Sequence, residues 1–432
     1  MTCQKFQTKV IFFLILIFIA TINIYYQYII NIKSDIKPSI IRKFNNIHNI
    51  SLKSKQLVRD FTKKYDSLKE FNTVVDKFCN SKVKVLDMLT CLEKLSELDK
   101  TIAMLDEKRN DCDKCIRLNN RNFTIFYHTF WQINELKSEI STFYQRTIFL
   151  NLMSYLATQN LCCTKFIFWK LKEFPDKIDR RIKKTFKYFI DNNKLEIKSF
   201  NLEELCGIEN FSFKRSFICS QDIHQSLANQ HLISLSDLVR FVVLDAYGGI
   251  YTDGDVIYLK DMSLLWQSNF AYRWSYTDNY NTAVLGVNKM FDSSISQVYN
   301  RIISSNKNIN SLINSFHPLS LSNTVRNLNK NSIYDYGPLR TFHSYLFDPA
   351  WTCFDGVTKR LKPEFVCGFD EFNNKKMLDE VNFNPKIHPS GGGSFTYHLH
   401  LINCGSNVRN DSYFKYFENY YYSTLNQHIS EI

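Results

Sequence analysis

Asp253 and Asp255, with only Gly254 between them, are the residues of this chain whose type and spacing most directly suggest chemistry. Two carboxylates so close repel unless a cation or several donors stand between them. Mg²⁺ or Mn²⁺ typically takes one or two protein carboxylates and completes its oxygen shell with water and phosphate. The pair therefore points to a metal facing a phosphorylated ligand, and Gly254 leaves room for a diphosphate to come close to the backbone. An isolated Asp-Gly-Asp is more often a surface turn. Here it is followed by the strand-like Val256-Ile257-Tyr258-Leu259 and preceded by an ordered-looking unit, which makes a bare turn a poorer account.

That unit must position the acids. Leu238, Phe241, Val242 and Ala246 recur at helical spacing, which predicts a helix with Ser236 as its N-cap and with Asp237 and Arg240 on one face. Gly248 and Gly249 end it, because glycine adopts the left-handed cap conformation without steric cost. From Ile250 the pattern changes to period two, predicting a strand that turns Tyr251, Asp253 and Asp255 to the same side.

The combined pattern, Ser236-Asp237-x-x-Arg240 and then Gly248-Gly249-x-Tyr251-x-Asp253-x-Asp255, resembles the sugar-nucleotide-binding region of retaining glycosyltransferases of the GT-A fold. The family includes α-1,4-galactosyltransferases, α-1,4-N-acetylglucosaminyltransferases and yeast α-1,6-mannosyltransferases. The resemblance implies that Asp237 and Arg240 hold donor-sugar hydroxyls, that Tyr251 packs beside the nucleotide, that Asp253 contacts ribose and sugar, and that Asp255 ligates the metal with Asp253 beside it. Asn281 matches a polar donor-facing position. The late segment His398-Leu399-His400-Leu401-Ile402-Asn403 resembles the family's His-x-Trp-Asn, which makes His400 the third metal or diphosphate contact, with Ile402 where the family has Trp and His398 an alternative at period two. Gly337-Pro338 resembles a Gly-Pro pair ahead of a helix in the same enzymes, and Gly391-Gly392-Gly393 could close over a diphosphate. The implied activity is transfer of a hexose or N-acetylhexosamine from a nucleotide sugar, a UDP-sugar by family habit, to a glycan hydroxyl on a glycolipid or glycoprotein, with an α linkage and a Mn²⁺ or Mg²⁺ cofactor.

Elsewhere, Phe123 to His128 and Lys165 to Trp169 read as buried strands around a helix from Ile148 to Gln159; Phe270 to Trp274 and Thr282 to Val287 read as later strands. This alternation predicts an α/β fold with a mixed, parallel-rich sheet covered by helices, whose ligands lie beyond the carboxyl ends of the strands. His128 is expected near such an end, in a structural rather than catalytic role.

The chain of 432 residues divides, on this reading, into a short cytosolic tail (1–9), a transmembrane signal anchor (10–30), a helical stem (31–120) that could self-associate as a homodimer or pack on the enzyme, and a catalytic domain (121–432). The family resemblance implies a single-pass type II protein of the Golgi membrane with its catalytic domain in the lumen. Twelve cysteines suit that oxidising compartment, and Cys206 with Cys219 and Cys353 with Cys367 bracket loops short enough to close. Sequons at Asn49, Asn122, Asn210 and Asn410 agree with it. The formal charge of +12 comes from scattered lysines without an aromatic-basic module, so nucleic acid is not the expected partner. Two other classes share part of the pattern. Haloacid-dehalogenase-like phosphatases also use an Asp-x-Asp before an apolar strand, though not the Asp237/Arg240 helix, and a non-catalytic membrane-anchored sugar-nucleotide-binding protein would keep the same residues.

Overall fold

Strand residues alternate between two apolar cores, and that alternation builds the domain. In the computed structural model, residues 73, 124–131, 139–171, 176–219, 232–262, 265–266, 269–273, 279–288, 295–306, 308–329, 339–348, 394–400 and 413–430 are described. All lie in one compact unit, Ser67–Ile432. The expected anchor and the stem, Thr73 excepted, fall outside them, as do Cys353, Cys367, Gly337-Pro338, the triple glycine and Asn403. Among the described residues no helix is long and apolar enough to cross a membrane.

Strand β1 (Ile125–Phe130) leads through helix α1 (Glu139–Thr158) to β2 (Thr164–Lys170), then through α2 (Asp176–Thr185) and α3 (Lys187–Asp191) to β3 (Leu195–Ser199). After α4 (Leu202–Cys206) and α5 (Leu232–Tyr247) come β4 (Gly249–Thr252), β5 (Val256–Tyr258), β6 (Phe270–Arg273) and β7 (Tyr280–Val287). Helices α6 (Ile295–Ser305), α7 (Ile309–Phe316) and α8 (Pro318–Asn329) precede β8 (Arg340–Phe342), β9 (Thr396–His398) and α9 (Tyr413–Ser430). The main sheet runs β3-β2-β1-β4-β7-β6-β8, and β5 pairs with β9 in a separate two-stranded sheet. The first four strands are mutually parallel, whereas β7 is antiparallel to both β4 and β6. The expected mixed, parallel-rich sheet is present. From β1 the chain builds outward through β2 and β3, then returns to lay β4 on β1's other edge; such a reversal opens a crevice at the strands' carboxyl ends.

Period two explains the two cores. Phe166 and Phe168 join Tyr127, Ile250 and the α1 residues Ile148 and Leu152 on one face, while Ile167 and Trp169 join Tyr251, Leu285 and the α5 residues Leu238 and Val242 on the other. Because both faces are covered, the strands read as nearly continuous apolar runs. The α1 helix is pinned to α9 by a bidentate pair in which Arg146 Nε and Nη2 donate to Glu418 at 2.9 and 2.7 Å.

Several boundaries differ from the sequence expectation. Helix α5 begins at Leu232, so Ser236 lies inside it and is not its N-cap; its hydroxyl is instead bonded by Arg240 Nη2 at 3.1 Å. Helix α1 starts nine residues before Ile148; in that added stretch Thr147 Oγ1 donates to the Tyr144 carbonyl and Arg146 to Glu418, polar residues that break the apolar pattern without breaking the helix. His128 lies within β1 rather than at its end: Trp169 Nε1 donates to His128 Nδ1 at 3.1 Å, leaving Nε2–H to donate to the Gly248 carbonyl at 2.9 Å. This neutral ring ties three segments together, and burial pushes its pKa down to about 4. Gly248 and Gly249 have φ of 66° and 96°, as the helix break requires. A Cβ at Gly249 would lie 1.9 Å from the Phe126 carbonyl oxygen, so β4 can enter beside β1 only with glycine there.

Gly249→Ala is accordingly expected to destabilise the domain by about 3 kcal/mol, from the left-handed strain and the backbone clash together; urea unfolding checks it. For His128 the unfolded chain binds a proton between pH 6.5 and about 4 and the folded chain does not, so folding weakens as pH falls through that window. The loss between pH 7 and pH 5 should be about 2 kcal/mol smaller in His128→Gln than in the wild type, measured by urea titrations at both pH values.

Candidate active site

The two acids stand directly beyond the carboxyl end of β4. Thr252 is the last strand residue, the chain turns with Val256 N–H donating to the Asp253 carbonyl at 3.1 Å, and β5 follows. Period two therefore stops before the acids: Tyr251 points into the core beneath α5, and Asp253 and Asp255 project from a turn instead of from one side of a strand. Helix α1 holds that turn. Asn151 Nδ2 donates to the Val256 carbonyl at 2.7 Å, Ser154 Oγ accepts from Tyr258 N–H at 3.0 Å, and Gln159 bonds the Lys260 carbonyl and Met262 N–H. One polar face of a buried helix thus satisfies the backbone that β5 leaves open on that side. Gly254 serves the same packing. A Cβ there would fall 2.2 Å from Ile148 Cδ1 and 2.9 Å from the Tyr144 hydroxyl, so its small size admits α1, where the sequence suggested room for a diphosphate.

Arg240 reaches the acids from α5. The residue is only 5% exposed, and all three nitrogens of its guanidinium are engaged. Nε donates to the Ser236 carbonyl, Nη1 to Thr282 Oγ1, and Nη2 lies 3.0 Å from Asp237 Oδ1 and 3.3 Å from Asp253 Oδ1. The face of Tyr251 lies under it, 5.3 Å from Cζ to ring centroid. Burial opposes the charge on Arg240, yet Asp253 and Asp237 hold it protonated. Burial also raises the pKa of Asp237 and of Asp253; Arg240 counters this at both, while Asp255 adds to it at Asp253. This is the physical sign of two like charges kept close.

The other acid faces a histidine. Pairing of β5 with β9 sets Val256 opposite His398, and Leu399 N–H donates to the Asp255 carbonyl at 2.9 Å. His398 Nε2 is then 3.3 Å from Asp255 Oδ1, with its Nδ1 3.5 Å from Asp348 Oδ2. Burial alone would lower the pKa of His398, but Asp255 and Asp348 push it up to about 10. Ligand atoms of Asp253, Asp255 and His398 all lie within 4.8 Å of one another, as do those of Asp348, His398 and His400. Two carboxylates and an imidazole converging on one point form a donor set that suits Mn²⁺ or a similar divalent ion.

Of the residues singled out in the sequence, the structure brings Asp237, Arg240, Tyr251 and Asp253 into one linked cluster, and Asp255 adjoins it. His400 lies one step away: its Nε2 bonds Asp348 Oδ2 at 2.6 Å, and His398, at the same face of β9's end, is the imidazole beside the acid pair. Asn281 Oδ1 accepts from Ala283 N–H at 2.9 Å, a local bond that caps its own strand segment. Ser236 was read as part of the Ser-Asp-x-x-Arg pattern but as a cap, not as the partner of Arg240; Thr282 and Asp348 carry no motif of their own, and a buried polar residue among apolar neighbours was the only available signal. Cys206 and Cys219 form a disulfide with a Cα separation of 5.7 Å, and Cys162 and Cys163 are disulfide-bonded as well.

Comparison with known proteins bears on this cluster. Residues 175–271 match the family described as glycosyltransferase sugar-binding region containing DXD motif. The matched segment spans Asp237, Arg240, Gly248, Gly249, Tyr251, Asp253 and Asp255, and ends before Asn281, Asp348, His398 and His400. No curated protein sequence matches the chain. Among solved structures, the PaToxG glycosyltransferase is similar at 16% identity over 51% of this chain and 80% of its own, with a TM-score of 0.31. The WbbM bifunctional glycosyltransferase is similar at 8% identity over 70% of this chain and 50% of its own, with a TM-score of 0.35. This chain therefore spans about half the length of the latter. With Arg240 joining Asp237 to the first acid of the Asp-Gly-Asp turn, and with that turn inside the matched segment, the chain resembles the DXD-containing glycosyltransferases over this region.

Proposed function

We propose that the protein is a retaining glycosyltransferase with a GT-A type catalytic domain, moving a hexose or N-acetylhexosamine from a nucleotide sugar, a UDP-sugar by preference, to a glycan hydroxyl on a glycolipid or glycoprotein with an α linkage. The observation that carries the reading is the convergence of Asp253, Asp255 and His398 at the carboxyl end of β4, beside the buried Arg240–Asp237 pair. The donor set fits a divalent cation: two acid oxygens and one imidazole share a small space, with Asp255 and His398 buried and Asp253 open enough to meet a ligand. When bound, Mn²⁺ or Mg²⁺ supplies positive charge against the diphosphate that leaves with the nucleotide.

The chain's own residues do the rest. Arg240 is fixed through Ser236 and Thr282, so with the adjoining Asp237 and Asp253 it forms a rigid frame whose carboxylates bind hydroxyls of the donor sugar. A frame locked before substrate arrives loses little entropy on binding, and it orients the anomeric carbon relative to the leaving oxygen. Asp237 and Asp253 place negative charge near the sugar ring, where positive charge develops as the glycosidic bond lengthens. Both are engaged by Arg240, which suits them as electrostatic and positioning groups; retention then follows from attack on the face the leaving phosphate vacates, the departing oxygen taking the acceptor's proton.

The paired cysteines support residence in an oxidising compartment. With the apolar segment at 10–30 they favour a luminal catalytic domain of a type II Golgi membrane protein.

Incubation of the purified protein with a panel of sugar nucleotides and Mn²⁺ should release the nucleotide from one donor class, and chelation should abolish the release. Phosphate release from simple phosphomonoesters, with no nucleotide release, would replace the transferase reading by a phosphatase one. Asp255→Ala should lower turnover by about 1,000-fold, and full activity in that variant at saturating Mn²⁺ would remove the metal role. Arg240→Lys should lower kcat by about 100-fold and also cost stability, since a point charge cannot replace the planar fork that bonds Ser236, Thr282 and both acids; kinetics on the folded fraction and urea unfolding check the two effects. Proton NMR of the first-formed product should show an α anomer from an α-linked donor.

A further inference from the structure

Asp348 is a fully buried carboxylate that neither the sequence pattern nor the matched family segment singles out. It follows the short helical turn Ser344–Leu346 after β8, and its N–H is tied back to the Ser344 carbonyl. Oδ2 receives His400 Nε2 at 2.6 Å and the Tyr272 hydroxyl at 3.4 Å, and lies 3.5 Å from His398 Nδ1. Oδ1 is buried with no hydrogen-bond partner among the described residues. An acid in such a place is costly to the fold, and an apolar side chain of similar size would be cheaper unless the carboxylate has a task.

The geometry of His398 indicates the task. Nε2 faces Asp255 at 3.3 Å, while Nδ1 faces Asp348 Oδ2 at 3.5 Å and the Tyr272 hydroxyl at 3.3 Å, a hydroxyl that itself donates to the same Asp348 oxygen. If Nδ1–H is given to Asp348, the Nε2 lone pair is directed at the space shared with Asp253 and Asp255. Histidines that bind metals generally use this arrangement, with the distal nitrogen donating to a carboxylate that sets the tautomer and the ring angle. His400 completes the clamp. It is one of two non-glycine residues at positive φ among the described residues, at 48°, and this folds its ring back over His398 at a centroid distance of 3.8 Å while its Nε2 bonds the same Asp348 oxygen. Strain of that kind costs about 1 kcal/mol or more and persists where the surroundings enforce it.

We infer that Asp348 is a positioning residue that orients His398, with His400 packed behind it, so that Nε2 of His398 is presented to a divalent cation held by Asp253 and Asp255. The inference rests on the metal-dependent reading of the site, and the experiment separates the two. Mn²⁺ binding to the purified full chain is measured directly by EPR titration of the free ion, without donor or turnover. Asp348→Asn, close to isosteric, should raise the Mn²⁺ Kd by about 10- to 100-fold. His398→Ala should weaken binding at least as much. An unchanged Kd in Asp348→Asn alongside a weakened one in His398→Ala would overturn the positioning role while leaving the metal site standing. Unchanged binding in His398→Ala, or no Mn²⁺ binding by the wild type, would overturn both. Because Asp348→Asn could fail to fold, the wild type supplies a second readout: ¹⁵N-histidine NMR of the Mg²⁺-loaded protein, with the signal assigned by His398→Gln. The Nδ1–H tautomer of His398 is expected, and the Nε2–H tautomer would sink the inference.

Discussion

Two carboxylates held one residue apart in a largely water-free turn are the constraint on which the rest of this site depends. Neither Asp253 nor Asp255 could be buried there uncompensated, because an unpaired buried charge costs several kcal/mol. The fold answers each acid from a different direction. Arg240 arrives from α5 and engages Asp253; His398 arrives from β9 and faces Asp255. The two answers differ in kind. A guanidinium stays charged under all ordinary conditions, whereas an imidazole can exchange its proton for a metal, so only one side of the acid pair is suited to receive a cation.

Most of the surrounding architecture serves to hold these groups still. Helix α1 lends its polar face to the backbone of the acid turn and β5, and its close approach is the reason for glycine between the acids. His128 joins β1, β2 and the glycine break, so the strand that delivers the acids is fixed at its entry as well as its exit. Polar side chains in these roles are deeply buried and almost fully bonded. Such networks are expensive to assemble, but once satisfied they permit a single arrangement, and the proposed transfer, which places a sugar carbon against a leaving oxygen, needs that rigidity.

Local patterns in the chain were informative wherever a single element carries the meaning. The glycine pair, the Asp237/Arg240 face, the acid pair and the order of early strands and helices could all be read, because helix and strand periods are properties of adjacent residues. Boundaries were less legible. Ser236 has the chemistry of an N-cap, and nothing in its neighbours reveals that its hydroxyl is claimed by Arg240 one turn later. The polar residues early in α1 likewise dilute the apolar stripe that would have marked the helix's full length, and the partner of Arg146 is Glu418, far along the chain.

What the sequence by itself determined is the presence of an Asp-x-Asp turn behind a helix bearing Asp and Arg, and with it a glycosyltransferase resemblance. Which imidazole stands beside the acids was decided only in three dimensions. His398 and His400 are equivalent by type and by period two, and the choice between them follows from the antiparallel register that sets Val256 against His398 and from the positive φ that folds His400 away. Asp348 was invisible for the same reason. Its significance is its position behind those rings, and that position arises from pairing between segments far apart in the chain, where no local spacing can encode it.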